Sequence, residues 1–258
     1  MPSVELEIRN NVAVVSFNKP EKFNAFDREM ALLLQQILDD CSENDLVRCI
    51  MLTGNGKAFS AGQDISELTA DNDITIDKIL AEHFNPIVKR IRDINKPVLC
   101  AVNGVAAGAG ANIALCGDVV VATASATFIQ AFSKIGLIPD SGGTFFLPRL
   151  VGFQKASALM MLGDRVTAAD AERMGMIYKY FDDGTFADAA FELAQQLADL
   201  PTQGLALTKL ALNHSMHRTF EEQLYEEDLL QRKAAATADY AEGIIAFIEK
   251  RKPVFTGK

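Results

Sequence analysis

The feature that most constrains this chain is an apolar run, Val98–Val102, that leads into a stretch of very small residues. The run predicts a buried β-strand, which breaks at Asn103-Gly104 and is followed by a helix that begins near Gly108, Ala109 and Gly110. Because these side chains are so small, a ligand atom could reach the free N–H groups of the first helical turn, where the helix dipole favours negative charge. The segment therefore predicts half of an oxyanion hole, or simply a helix packed closely on a sheet.

Strands and helices alternate in the first two-thirds of the sequence, and helices alone follow. Residues 4–17 alternate around Asn10-Asn11, which predicts a β-hairpin, and Asp27 is a candidate N-cap for a helix over 28–42. A helix over 79–94 should be bent or divided at Pro86. Further strands are predicted at 49–53, 118–122 and 176–181, a polar surface loop at 68–78, and further helices at 153–162, 167–174, 185–200, 203–217, 218–237 and 238–250. This order predicts an α/β core, residues 1–200, and a helical C-terminal region, residues 201–258.

Composition limits the class of protein. The 258-residue chain is 49% hydrophobic and has a formal net charge of −9, so a large core is expected and nucleic acid is an improbable partner. No apolar run approaches the ~18 residues of a membrane span, and the N-terminal residues do not resemble a signal peptide, which favours a cytoplasmic protein without membrane contact. The four cysteines and three histidines lack metal-ligand spacing, so no metal site is expected.

Five motifs occur in a fixed order along the sequence. They are Asn18-Lys-Pro-Glu-Lys-Phe-Asn-Ala25, Phe59-Ser-Ala-Gly-Gln-Asp-Ile65, Ala101-Val-Asn-Gly-Val-Ala-Ala-Gly-Ala-Gly110, Ile135-Gly-Leu-Ile-Pro-Asp-Ser-Gly-Gly-Thr144 and Lys250-Arg-Lys-Pro-Val-Phe-Thr-Gly257. Together they resemble the crotonase (enoyl-CoA hydratase/isomerase) superfamily over essentially the whole chain. The resemblance implies a spiral of ββα units with a helical C-terminal trimerisation region, and hence a homotrimer or a dimer of trimers. It also implies an acyl-CoA thioester substrate and no separate cofactor, because coenzyme A is part of the substrate.

The resemblance also implies where the substrate binds. The thioester carbonyl would lie between the backbone N–H groups of Gln63 and Ala109, the second of which begins the helix described above. Coenzyme A would run along two segments, largely through backbone groups, and three further residues would complete the site. The predicted binding residues are Lys22, Phe23, Ala25, Ala61, Gln63, Asp64, Ile65, Gly108, Asn112 and Phe132.

Side chains near this oxyanion hole indicate the reaction. Hydratases of the family carry two glutamates that hold the attacking water, and the matching positions here are Asn112 and Phe132. Neither side chain can activate water or protonate carbon, which argues against efficient hydration. Asp140 remains, at a position where the hydratase pattern has glycine, although Pro-Asp-Ser-Gly-Gly is also an ordinary turn sequence. Dienoyl-CoA isomerases, 4-chlorobenzoyl-CoA dehalogenase and ring-1,2-epoxyphenylacetyl-CoA isomerase resemble this chain in carrying an acid there.

Within the family, residues 132–149 and the tail from 238 to 258 look most like the ring-1,2-epoxyphenylacetyl-CoA isomerase of phenylacetate degradation. The implied activity is isomerisation of an acyl-CoA, in which Asp140 moves a proton while the oxyanion hole stabilises the enolate. The substrates would be 1,2-epoxyphenylacetyl-CoA, giving oxepin-CoA, and/or a 3-enoyl-CoA, giving a 2-enoyl-CoA. The competing interpretations are a hydratase, a dehalogenase and a non-catalytic member of the fold, including RNA-binding members; the lack of tryptophan disfavours the dehalogenase.

Two sets of apolar residues extend these expectations. The C-terminal helices carry a wide apolar stripe, which predicts self-association; its members are Leu224, Leu229, Leu230, Ile244, Ile245, Phe247 and Ile248. Five phenylalanines are candidates for an apolar acyl pocket, although most of them could equally belong to the core; they are Phe23, Phe26, Phe132, Phe145 and Phe146.

Overall fold

A computed structural model describes residues 1–69 and 75–258, with only the backbone of residues 68 and 69. The strands of the described residues are β1 (Val4–Arg9), β2 (Val12–Phe17), β3 (Cys49–Gly54), β4 (Ala58–Ser60), β5 (Val98–Val102), β6 (Val105–Ala107), β7 (Val119–Thr123), β8 (Thr127–Ile129), β9 (Arg165–Thr167) and β10 (Lys179–Phe181). The predicted loop at 68–78 is only partly described, since residues 70–74 lie outside these ranges, and its last residues are already helical.

The helices of the described residues surround these strands. They are α1 (Arg28–Glu43), α2 (Ser66–Thr69), α3 (Ile76–Lys78), α4 (Asn85–Asp93), α5 (Ala109–Leu115), α6 (Gly143–Val151), α7 (Phe153–Leu162), α8 (Ala168–Arg173), α9 (Phe186–Asp199), α10 (Thr202–Ser215), α11 (Phe220–Ala235) and α12 (Ala238–Glu249). Short 3₁₀ segments lie at Pro20–Lys22 and Ala131–Ile135, and a π-helical segment at Ile79–Phe84 joins α3 to α4. No helix in the described ranges is both long and apolar enough to cross a bilayer.

The strands form two sheets. Six strands follow the order β1-β2-β3-β5-β7-β10, in which only β1 and β2 are antiparallel, and four follow the order β4-β6-β8-β9, in which only β8 and β9 are antiparallel. From β3 to β8, successive strands alternate between the two sheets, and helical segments follow β4, β6 and β8. This is the predicted spiral of ββα units.

Several local predictions are confirmed. Asn10 and Asn11 have φ of 50° and 64°, the left-handed pair that a two-residue hairpin turn requires, and Arg9 pairs with Val12 across it. The Asp27 carboxylate caps α1 by accepting a hydrogen bond from the Met30 backbone N–H. The helix over 79–94 is divided at the predicted place, because the π-helical segment ends and α4 begins one residue before the proline.

Other elements were not predicted. Strands β6 and β9 have three residues each, too few for an apolar alternation to appear, and β10 is shorter than the predicted 176–181. Helix α6 begins at Gly143 directly after a Gly-containing turn and contains Pro148, so its sequence resembles a turn rather than a helix start. Two consequences matter for function: α5 begins at the end of β6, and α6 begins three residues after Asp140.

The main core joins one face of the six-stranded sheet to α1, α4, α5 and strands of the four-stranded sheet. Its centre includes three fully buried rings, since Phe17 lies edge-on to Phe26 at 5.1 Å and to Phe59 at 5.0 Å. A second apolar cluster joins the opposite face of that sheet to α9. Both faces of the six-stranded sheet are therefore covered. The main core also contains Phe59, Ala106 and Phe128, which anchor β4, β6 and β8 of the other sheet and hence the loops that follow them.

Candidate active site

The loop after β4 and the turn between β6 and α5 meet without any intervening side chain. Gly62 has φ +89°, and a Cβ there would lie 2.9 Å from the Ala107 carbonyl oxygen and 3.1 Å from the Ala109 nitrogen. Gly110 faces the other way, where a Cβ would lie 2.4 Å from the Ser60 carbonyl oxygen. Both positions therefore require glycine, and the close approach brings the Gln63 and Ala109 amides to one place.

Both of these amides have free N–H groups. The Phe26 N–H donates to the Gly62 carbonyl at 2.7 Å, and the Asp64 N–H donates to the Phe26 carbonyl at 2.8 Å. Since successive N–H groups of an extended segment alternate in direction, the Gln63 N–H points away from Phe26. Ala109 is the first residue of α5, and among the described residues neither N–H donates to a protein acceptor. The pair has the donor arrangement of an oxyanion hole.

A cavity of about 440 Å³ opens in front of these amides. Its lining is mostly apolar and comes from the β4 loop, the π-helical segment, the start of α5 and the segment before α6; the residues are Ala61, Gln63, Ile65, Ile76, Ile79, Leu80, Phe84, Asn85, Gly108, Ala109, Ala131, Phe132, Ile135, Leu137, Ile138, Pro139, Asp140, Ser141, Gly142 and Thr144. Asp140 carries the only ionisable side chain among these lining residues.

Asp140 lies in surroundings that favour its protonated form. Burial raises the pKa of the carboxyl group, and a 2.8 Å hydrogen bond that the Ser141 hydroxyl donates to Oδ1 opposes this shift only in part. Within the described ranges no lysine, arginine or histidine forms an ion pair with it. A raised pKa makes the carboxylate a stronger base, which suits a group that must both accept a proton and return it.

Asn112, predicted to bind the substrate, lies elsewhere. It is 1% exposed and does not line the cavity; instead its Nδ2 donates to the Asp140 carbonyl oxygen at 2.9 Å, and its Oδ1 accepts from Gln130. Helix α5 carries this side chain inward behind the Asp140 turn, which the sequence alone does not reveal. The structure therefore corrects the position of Asn112 from the cavity wall to the layer behind it.

Lys22 and Asp64 form an ion pair beside the cavity. Lys22 Nζ lies 2.6 Å from Asp64 Oδ2, and the Ser66 N–H and hydroxyl both donate to Asp64 Oδ1. Burial acts to raise the pKa of Asp64, but the hydrogen bonds from Lys22 and Ser66 lower it overall. The Lys22 side chain is half exposed, and its hydrogen bond to Asp64 raises its pKa, so it keeps its charge.

The other predicted binding residues lie on two adjacent segments, residues 22–25 and 61–65, and at Gly108 and Phe132. Ala61, Gln63, Ile65, Gly108 and Phe132 line the cavity, whereas Lys22, Phe23, Ala25 and Asp64 do not. The Ala61 N–H donates to the Phe23 carbonyl oxygen at 2.9 Å, so the two predicted binding segments lie side by side.

The phenylalanine candidates divide sharply. Phe26 is fully buried in the core, and Phe145 and Phe146 line a different cavity beside α10, where Phe145 stacks on His217 at 5.4 Å. Only Phe132 of the five lines the candidate active site, and the alternative of a core position holds for Phe26. The apolar wall comes instead from residues outside that set, notably Phe84, Ile135 and Ile138, of which the last is 80% exposed despite its apolar side chain.

Comparisons with known proteins give matches over nearly the whole chain. The enoyl-CoA hydratase/isomerase family matches residues 7–258. The chain is 45% identical over 254 residues to a 1,2-epoxyphenylacetyl-CoA isomerase of Escherichia coli, with 97% of each chain covered. It is 39% identical over 256 residues to a probable enoyl-CoA hydratase of Rhodobacter capsulatus, covering 99% of this chain and 98% of the relative.

A solved structure shares the fold as well. The crystal structure of a putative enoyl-CoA hydratase/isomerase from Mycobacterium abscessus matches with a TM-score of 0.93 and 34% identity, covering 99% of this chain and 100% of that one. Sequence and fold thus agree along nearly the whole length. This protein belongs to the enoyl-CoA hydratase/isomerase family.

Proposed function

We propose that this protein is an acyl-CoA isomerase that converts 1,2-epoxyphenylacetyl-CoA to oxepin-CoA and/or a 3-enoyl-CoA to a 2-enoyl-CoA. One observation carries the proposal: among the described residues that line an apolar cavity, Asp140 has the only carboxyl group, and the same cavity contains two backbone N–H groups without a described acceptor. A single acid can move one proton between two atoms of the same substrate. The strong similarity to the Escherichia coli isomerase supports the epoxide as one substrate.

The arrangement supports a two-step proton transfer. The thioester oxygen accepts hydrogen bonds from the Gln63 and Ala109 N–H groups, which stabilise negative charge on that oxygen as an enolate forms. For a 3-enoyl-CoA, the Asp140 carboxylate removes a proton from C2 and returns it to C4, so the double bond moves into conjugation and Asp140 is regenerated. The apolar wall around Asp140 excludes water, which keeps the proton on the acid between the two steps.

A hydratase is the second candidate, because the Rhodobacter capsulatus relative is named a probable enoyl-CoA hydratase. Hydration requires one group to activate water and another to protonate carbon. Within the described residues that line the cavity, Asp140 has no second acid as a partner. A dehalogenase and a non-catalytic member of the fold have no specific observation in their favour.

The test is turnover by the purified protein on three classes of thioester: epoxyphenylacetyl, 3-enoyl and 2-enoyl. We expect conversion of at least one of the first two, followed by product absorbance and mass. Loss of the conjugated chromophore of crotonyl-CoA at a comparable rate would indicate a hydratase instead. Chloride release from 4-chlorobenzoyl-CoA would indicate a dehalogenase, and a shift of RNA in a gel would indicate an RNA-binding protein. Inactivity towards all thioesters would contradict the proposal.

The proposal extends to assembly and setting. Helices α11 and α12 leave large apolar side chains in solvent, including Phe247 at 84% and Ile248 at 73% exposure, more than a monomer would leave uncovered. We therefore propose a homotrimer or a dimer of trimers, working in the cytoplasm in phenylacetate catabolism without an added cofactor. Light scattering that gives a monomer at micromolar concentration would contradict the assembly, and activity that requires an added metal or cofactor would contradict the last point.

A further inference from the structure

Helix α5 and the residue that directly follows it touch the turn that carries Asp140 through two side chains. Asn112 Nδ2 donates to the Asp140 carbonyl oxygen at 2.9 Å, and the Cys116 thiol, one helical turn later, contacts the Ser141 carbonyl oxygen at 3.5 Å. The Gly143 N–H also donates to the Asp140 carbonyl at 2.8 Å. The peptide that follows the proposed acid is therefore held by the helix that also begins with the oxyanion donor Ala109.

The orientation of the Asn112 amide is determined by its neighbours. A carbonyl oxygen needs a donor, so the nitrogen of Asn112 must face Asp140 and its oxygen must face away. That oxygen accepts a 2.8 Å hydrogen bond from Gln130 Nε2. Gln130 is buried, and its own Oε1 has no hydrogen-bond partner among the described residues. The one hydrogen bond described for its side-chain amide is therefore the bond that orients Asn112.

The turn needs such support because its backbone is strained. Ser141 adopts φ +51° and Gly142 φ +76°, and a non-glycine residue in this left-handed region is strained because its Cβ crowds the backbone. The fit is close: a Cβ on Gly143 would lie 2.3 Å from Asn112 Nδ2. Asn112 could not keep its hydrogen bond to Asp140 if position 143 carried a side chain.

We propose that Gln130 and Asn112 form a relay of hydrogen bonds that positions Asp140 relative to the oxyanion hole. Gln130 orients the Asn112 amide, and Asn112 holds the Asp140 backbone at a set distance from the N-terminus of α5. Both are positioning residues, since neither lines the cavity. The inference rests on the proposed function, because it assigns Asp140 the proton transfer that the relay serves.

The test compares Asn112→Leu, which keeps the volume but removes both hydrogen bonds, with Gln130→Met, which removes only the orienting donor. We expect kcat to fall by roughly 10-fold or more in the first and about 3-fold in the second, with KM and the coenzyme A Kd changed less than about 2-fold, because only the placement of the acid changes. Gln195→Met on α9, which removes a hydrogen bond to the Asn10 carbonyl far from the site, should leave kcat unchanged.

Two readouts separate positioning from general stability. In the Asn112→Leu background, Gln130→Met should cause no further loss of kcat, because its effect passes through Asn112. The limb of the pH profile that reports Asp140 ionisation should move to lower pH in Asn112→Leu, since a loosened carboxyl group is more hydrated and faces no described cation. Equal losses from Gln130→Met in both backgrounds, or an unmoved pH profile, would overturn the relay.

The outcome also distinguishes the relay from the function. If Asp140→Asn abolishes turnover but Asn112→Leu retains parental kcat, the relay is wrong and the proposed function stands. If Asp140→Asn retains turnover, the proposed function fails and the relay fails with it. Should Asn112→Leu not fold, Gln130→Met decides alone, and an unchanged kcat and pH profile in that variant would overturn the relay.

Discussion

Asp64 and Asp140 are two aspartates beside the same cavity, and their surroundings give them opposite properties. Asp64 accepts hydrogen bonds from Lys22 and Ser66, and its pKa is lowered. Asp140 receives one hydroxyl hydrogen bond and faces an apolar cavity, and its pKa is raised. The difference shows that partners and desolvation, rather than residue type, separate a permanently charged structural carboxylate from one that can exchange a proton.

The largest expected effect concerns the acids themselves. Asp140→Asn keeps the size of the side chain but removes the exchangeable proton, so isomerase turnover should fall by at least ~100-fold while coenzyme A binding persists. Asp64→Asn is the matched control, because it changes the same group on an aspartate that does not line the cavity. Steady-state kinetics on both variants provide the measurement. A larger loss of turnover in Asp64→Asn than in Asp140→Asn would reverse the comparison.

The next prediction tests the oxyanion hole. If the thioester binds there, its reacting carbon atoms lie in the cavity that Asp140 lines and Asp64 does not. In Gly62→Ala the new methyl group would press on the Ala107 carbonyl and the Ala109 N–H, which should displace one oxyanion donor and lower kcat/KM by roughly 100-fold. The matched control is Gly184→Ala, because nothing lies within 4 Å of a Cβ at Gly184. Near-parental kcat/KM in a folded Gly62→Ala enzyme would place the thioester away from this junction.

A smaller effect concerns the cation of the Asp64 pair. Lys22→Ala should raise the Kd for coenzyme A by about 2- to 5-fold and weaken its dependence on salt, because a half-exposed lysine contributes modestly and is screened. Titration calorimetry at two ionic strengths provides the measurement, and the exposed Lys179→Ala on β10 is the control. Unchanged affinity would remove Lys22 from the coenzyme A site.

The smallest effect is on stability: replacing the two aspartates by asparagine should change the Tm in opposite directions. The lowered pKa of Asp64 means that its ionised form contributes stability above the unfolded-state value of ~3.9, which is lost as pH falls through the folded-state pKa. The raised pKa of Asp140 means the reverse: the folded protein loses stability as pH rises through the folded-state pKa and the carboxyl group ionises. At pH 7, Asp140→Asn should therefore raise the Tm by about 1–3 °C and Asp64→Asn should lower it by a similar amount.

Calorimetric scans from pH 4 to pH 8 test this difference. The gain in Asp140→Asn should shrink towards pH 4, where the parent carboxyl group is itself protonated. A gain that persists unchanged across this range would mean that Asp140 is not desolvated in the folded protein.

Much of the site could be predicted from particular residues. The pairs Asn10-Asn11 and Gly108-Ala109 have local signatures, so the hairpin and the start of α5 follow from short segments. Asp140 was identified because the five motifs resemble a family. The roles of Asn112 and Phe145 could not be predicted in this way, because one depends on a contact 28 residues along the chain and the other on packing beside α10.

The sequence by itself determined part of the local backbone: the hairpin at Asn10-Asn11, the helix that Asp27 caps and the start of α5. These properties depend on side-chain size and on dihedral preferences within a few residues. Only the tertiary structure decided the chemistry of each acid and the composition of the cavity wall. Desolvation and hydrogen bonding depend on atoms from distant segments. Asp64 meets Lys22, and Asp140 meets apolar side chains, only when the two sheets hold the loops after β4, β6 and β8 together.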